Sequence, residues 1–235
     1  MTSSFASAAG PSAIPARSTY HHGDLRRALL EAGLDLAREG GPDAVVLREA
    51  TRRVGVSANA AYRHFVDRDA LLDEVVSRAQ SLAADVIAAE IEAADIEAAE
   101  GGAEAGGRAR ARFRAVGIGY LRFAMSESGL FRTAFAVPTD LRRSASPEAA
   151  GACGRTPFQL LGDTLDEMLE AGVLPPDQRP GAEMLAWSAV HGLAMLALEG
   201  PLRDLPAGFV EEMAPRLVRM VDLGLGVSLP ETTGS

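Results

Sequence analysis

Residues 47–72 read LREATRRVGVSANAAYRHFVDRDALL, and the punctuation inside this run decides the fold. A helical pattern from Leu47 to Val54 stops at Gly55, a residue that tolerates the left-handed conformation of a tight turn. Ser57 has the side chain of a helix N-cap and opens a second short helix over Ala58–Phe65. Asp67 caps a third, expected to run from Arg68 to Glu100. Val54, Val56, Ala61 and Phe65 can form the small core that fixes the crossing of the first two helices. The pair reads as a helix-turn-helix whose second helix presents Ala58, Asn59, Ala60 and Arg63 outward, in the geometry that fits a DNA major groove. Asn59 suits a bidentate pair with adenine, and Arg63 suits guanine or a phosphate. The small side chains of Ala58 and Ala60 allow close approach. Arg68 and the positive end of its helix suit a backbone phosphate.

Outward from this run the chain stays helical. On the N-terminal side, Leu25, Leu29, Ala32 and Leu36 recur at helical spacing, and Gly40-Gly41-Pro42 ends the pattern. Residues 1–19 are rich in Ser, Ala, Gly and Pro and read as a flexible tail. On the C-terminal side, Gly101-Gly102 and Gly106-Gly107 interrupt the pattern. Helices are expected over 108–126, 157–172, 179–200 and 207–226, with a turn or two near 130–135 and a loop over 138–157. No stretch alternates as a strand would, so the expected class is all-α. The organisation is a tail (1–19), a three-helix DNA-binding head (20–68) and a helical regulatory and dimerisation body (69–227).

Composition narrows the function. Hydrophobic residues make up 47% of the 235 and charged residues 23%, enough apolar material for a packed core. The net charge is −9, yet residues 1–80 hold ten arginines against ten carboxylates, so the excess acid lies outside the head. The chain contains no lysine, which excludes a Gly-Lys-Ser/Thr phosphate loop and Schiff-base chemistry. One cysteine, Cys153, excludes an intramolecular disulfide. The longest apolar run, Met184–Leu198, is short of a membrane span and carries Ser188, His191 and Gly192. With no secretory signal pattern at the N-terminus, a cytoplasmic protein is expected. No metal and no cofactor is expected: His21-His22 lacks further ligands at coordinating spacing.

Residues 20–75 resemble the DNA-binding head of the tetracycline-repressor (TetR) family at many positions. The resemblance is carried by Arg48-Glu49, Gly55-Val56-Ser57, Tyr62-Arg63-His64-Phe65, and Asp67-Arg68 followed by Leu71-Leu72. Thr51 departs from it, standing where the family usually has alanine. Two further stretches, Tyr20-His21-His22-Gly23-Asp24-Leu25-Arg26 and Trp187-Ser188-Ala189-Val190-His191-Gly192-Leu193, resemble the branch with a C-terminal Trp-His-Gly (WHG) domain, here about residues 180–227. The resemblance implies a homodimer on a near-palindromic operator, repression as the default sign, and release by a small-molecule effector. It implies phosphate contacts from Tyr62 and His64, and adds Arg48, Ser57, Tyr20 and His21 to the DNA-contacting set.

The body offers candidates for the other two tasks. Phe113, Tyr120, Phe123, Phe131, Phe135, Phe158, Met168, Trp187 and His191 could line a ligand pocket, or serve only as core; His191 in an apolar helix reads by default as a buried, hydrogen-bonded structural residue. Ala189 and Gly192 permit close helix approach, and Val210, Met213, Leu217 and Val221 form one apolar stripe needing a partner; together they are the expected dimer interface. Two other readings stand beside the regulator. An enzyme would have to use His191, Cys153 or scattered carboxylates, with no nucleophile elbow or phosphate loop. A helical adaptor that binds protein would fit the neutral head, and would show no salt-dependent DNA binding.

Overall fold

Gly55 takes the left-handed conformation expected of it, φ 74°, with nothing within 4 Å of where a Cβ would sit. The glycine therefore serves the backbone angle, not a close contact. This turn joins α2 (Leu47–Val54) to α3 (Ala58–Ala61). The computed structural model describes residues 22–135, 146–206 and 208–227. The flexible tail expected over 1–19, and the expected contacts of Tyr20 and His21, lie outside the described residues.

Nine α-helices occur among the described residues: α1 (His22–Gly40), α2, α3, α4 (Arg68–Glu100), α5 (Ala105–Ser126), α6 (Ser128–Phe135), α7 (Pro157–Glu170), α8 (Ala182–Leu198) and α9 (Phe209–Leu225). No strand occurs among them. Local chemistry sets several boundaries. The Asp67 carboxylate accepts from the Ala70 N–H at 2.8 Å and starts α4. Thr156 and Gln159 form a reciprocal capping box at the start of α7, with Pro157 in the first turn. Gly106 and Gly107, read as an interruption, lie inside α5. Packing explains it: a Cβ on Gly106 would meet Val173 Cγ1 at 2.8 Å, so the glycine allows α5 to pass close to the turn after α7.

Helices α1 to α3 and the start of α4 form the head, with α1 touching α2, α3 and α4. In the body α5 is central and is surrounded by α4, α6, α7, α8 and α9. One connected core runs from Leu25 through Phe65 and Ile87 to Leu225, so head and body share a continuous interior. Phe65, Phe123 and Phe131 are among its fully buried side chains, each contributing roughly 1.5–3 kcal/mol by leaving water. α4 belongs to both parts. Its first six turns are buried on one side through Ile91, and its last turns stand in solvent, carried by alanine and glutamate helix propensity. A buried ion triad ties the end of α9 to α5: the fully buried Asp222 carboxylate receives Arg110 at one oxygen and Arg114 Nε, at 2.7 Å, at the other.

No helix among the described residues is long and apolar enough to cross a membrane.

Candidate nucleic-acid interface and internal cavity

The reading face of the head is assembled by the turn and the caps. Ser57 Oγ accepts from the Ala60 N–H at 3.3 Å, so this side chain caps α3. α3 is shorter than expected: regular helix ends at Ala61, and residues 62–64 continue as turns. Backbone bonds from Tyr62 N–H to Ala58 O and from Phe65 N–H to Ala61 O keep the segment helical in outline. Ala61 and Phe65 are buried under it. Ala58, Asn59, Arg63 and Arg48 are exposed, Ala60 and His64 half-exposed, and Tyr62 is 57% exposed. Six of these seven belong to one segment, Ala58–His64, and Arg48 stands on α2.

Arg68 corrects a sequence expectation. Instead of facing a phosphate, its guanidinium donates to Val45 O (2.9 Å) and Pro42 O (2.7 Å) and braces the start of α4 against the turn after α1. Two neighbouring arginines, Arg52 and Arg53, are engaged by Glu49 and Glu39, and these guanidiniums hold both carboxyls below the usual carboxylate range. Thr51 is buried, and its hydroxyl donates to Arg48 O at 2.7 Å, which satisfies the one polar atom that alanine would lack. The sequence reading missed Arg26. It donates to His64 O at 2.7 Å, pairs with Glu74 and lies 4.7 Å over the Phe65 ring, so it fixes the end of the reading segment to α1 and α4. The signal was weak because its partners lie 38 and 48 residues away.

Inside the body is a cavity of about 70 Å³ between α4, α5, α6, α7, α8 and α9. Of the expected ligand residues, Phe113, Tyr120, Phe135, Phe158 and Trp187 line it. Phe123, Phe131, Met168 and His191 do not, and the expectation for these four is corrected. Phe123 and Phe131 point into the core, and His191 stands behind Tyr120. The Tyr120 hydroxyl accepts from Trp187 Nε1–H at 3.1 Å and lies 2.9 Å from His191 Nδ1. An indole N–H can only donate, so the hydroxyl hydrogen is free to go to Nδ1, and the histidine then carries its own hydrogen on Nε2. Burial lowers the His191 pKa and raises that of Tyr120, which keeps both neutral.

The outer faces of α8 and α9 separate the expected interface residues. Ala189, Met213 and Leu217 are half-exposed, and Gly192 has open space where a Cβ would stand. Val210 and Val221 are corrected: Val210 is buried within the protomer and Val221 lines the cavity. The helix face turned outward carries Met220 and Leu223, at 63% and 52% exposure, with Leu185 (62%) and Leu196 (45%) on α8.

Two family models match the chain. Residues 29–75 match "Bacterial regulatory proteins, tetR family", and residues 113–221 match "Tetracyclin repressor-like, C-terminal domain". Together they span about two thirds of the sequence. The chain belongs to the TetR family. The first TetR match runs from α1 through the reading segment into α4; the second begins and ends on two cavity residues, Phe113 and Val221, and contains the whole Trp187–Gly192 stretch. Among solved structures, a protein of unknown function from Rhodococcus sp. RHA1 is 27% identical, with a TM-score of 0.67, over 90% of this chain and 100% of that one. A bacterial regulatory protein in the tetR family from Rhodococcus RHA1 is 19% identical, with a TM-score of 0.52, over 87% and 98%, and shares the fold. No protein of curated function matches the chain. As a TetR protein the chain is a DNA-binding transcriptional regulator, and its family domains point to regulation rather than to the enzyme reading.

Proposed function

We propose that this TetR protein is a homodimeric repressor that leaves its operator when a small molecule occupies the internal cavity. The observation that carries the reading is the position of α6. Within eight residues it touches both the cavity and the head. Phe135 lines the cavity, and Phe131 packs on the Tyr120 ring at 5.3 Å. On the same helix Gly129 lies so close to α1 that a Cβ there would come within 2.2 Å of Ala37 O. Arg38 of α1 pairs with Glu127, just before α6, at 3.4 Å. A ligand that displaces Phe135 therefore acts on a helix seated directly against the head. Only such a difference in ligand affinity between two head positions can change DNA affinity.

Ala58, Asn59, Ala60 and Arg63 are the proposed base-edge contacts, with Arg48, Ser57, Tyr62 and His64 at the phosphates. Ala189, Gly192, Met213 and Leu217, with Leu185, Leu196, Met220 and Leu223, are the proposed faces of a four-helix bundle between two protomers. The resemblance of Trp187-Ser188-Ala189-Val190-His191-Gly192-Leu193 supports placing the chain in the WHG branch.

The deciding experiment is binding to DNA upstream of the protein's own gene across a salt series, beside the Asn59→Ala/Arg63→Ala variant. Selective binding by the wild type, weakening with salt and losing selectivity in the variant, is the expected result. Salt-independent failure of a folded dimer to bind DNA from any source would leave the adaptor reading in its place.

A further inference from the structure

The cavity also defines what it can hold. Its described lining contains no Asp, Glu, Arg or His. Two of its polar side chains, Tyr120 and Trp187, are already joined to each other and, through the hydroxyl, to His191. The third, Gln80, is buried and donates from Nε2 to Ala134 O at 3.0 Å. Among the described residues no buried side-chain nitrogen or oxygen lacks a hydrogen-bond partner. Among its described residues the site thus presents no counter-charge, and its three polar side chains are engaged with neighbours. A charged ligand would lose its hydration there with no opposite charge among the described lining residues to offset the loss.

The walls say more about shape. Phe113, Tyr120, Phe135, Phe158 and Trp187 bring five aromatic rings to one space from four helices. Rings so placed accept another ring edge-to-face or offset. We infer that the ligand of this cavity is a neutral, hydrogen-bond-poor molecule built on an aromatic ring, and that carboxylates and amines of the same size are excluded. The inference rests on the reading of the cavity as the effector site. Size adds a condition. A dry apolar cavity of about 150 Å³ holds benzene, and this one has about 70 Å³. A ring must therefore part the helices, and the binding energy of the ring drives that movement.

Trp187 is the only tryptophan of the chain and lies in the cavity wall, so its fluorescence reports occupancy directly. Toluene and benzoate share a ring and differ in charge. Titration of the full-length protein with toluene is expected to shift Trp187 emission to a plateau. Benzoate, at concentrations about a hundredfold above the toluene midpoint, is expected to leave it unchanged. The Val221→Phe variant, which fills the cavity from α9, is expected to lose the toluene response. Benzoate binding as tightly as toluene would require a cation at the site and would overturn the inference, as would a wild-type protein that responds to neither probe. DNA binding measured in the same samples separates the two readings. Toluene occupancy without loss of operator binding refutes the effector role and leaves the ligand class standing.

Discussion

Replacing Asp222 with alanine should be among the most damaging single changes outside the aromatic core. The carboxylate is fully buried and is held by Arg110 and Arg114, whose side chains are 25% and 38% exposed. Removing one partner of a buried ion pair costs about 3–5 kcal/mol, because the remaining charge is left desolvated. Here the two guanidiniums are partly wet and recover some hydration, so about 3 kcal/mol is expected. For a chain of this size that lowers Tm by roughly 6–12 °C. The companion variant carries Asp222→Leu, Arg110→Met and Arg114→Met. It removes the charges together and loses only one long bond, Arg110 Nη2 to Val173 O at 3.3 Å. Its stability should return to within about 1 kcal/mol of wild type, since apolar replacement of a whole buried ion cluster is near neutral. Both are measured by denaturant unfolding at one fixed protein concentration, because the proposed dimer would make stability concentration-dependent. If Asp222→Ala loses less than about 1 kcal/mol, or the triple variant is no more stable than the single, desolvated charge is not what the triad controls, and the reasoning fails.

Three further outcomes follow from other contacts. Arg26→Ala should weaken operator binding by about 1–2 kcal/mol, roughly tenfold, without changing the salt slope, because Arg26 positions the reading segment and contacts no phosphate; a slope reduced by one charge would show that it does. Gly129→Ala should cost about 1–3 kcal/mol by overpacking α6 against α1, and a variant as stable as wild type in thermal melts would show that the two helices are not pressed together. Burial lowers the His191 pKa, so the folded protein resists a proton that the unfolded chain takes up at about 6.5. The stability this represents is present above that pH and is lost as pH falls through it. His191→Asn should flatten the wild-type decline below about pH 6.5, and identical pH profiles would remove His191 as its source.

Features governed by neighbours in sequence were legible before the structure. Gly55, Ser57 and Asp67 act within three or four residues, so their identities alone place the turn and two helix starts. The outward set on α3 follows from the same short-range rules. Features governed by distant neighbours were not legible. Of the stripe Val210, Met213, Leu217 and Val221 only Val210 belongs to the buried face, which continues through Ala214, Val218 and Asp222 and leaves the other three at its border. A charged residue lies on that face, and its partners sit more than 100 residues earlier, so hydrophobicity could not find it. Arg68 was misread for a similar reason. An arginine at a helix start suits a phosphate until two carbonyl oxygens from the preceding turn are placed beside it. Tyr120, Trp187 and His191 were each noticed, but the hydroxyl that joins them spans 67 and 71 residues and belongs to the tertiary structure alone.

α4 has a mechanical consequence. It lines the cavity at Gln80 and, farther along, Ile87, and runs from Ile87 to Arg68 in the head without a break in the helix. At 1.5 Å per residue that arm is roughly 28 Å long. A tilt of about 5° at the cavity end would swing the head end by roughly 2.5 Å. In a two-fold dimer the two arms swing oppositely, and their separation changes by roughly 5 Å, against successive major grooves that repeat at about 34–36 Å. On the proposed reading, the stiffness of one uninterrupted helix would turn a tilt of a few degrees at the cavity into a mismatch with the pitch of DNA.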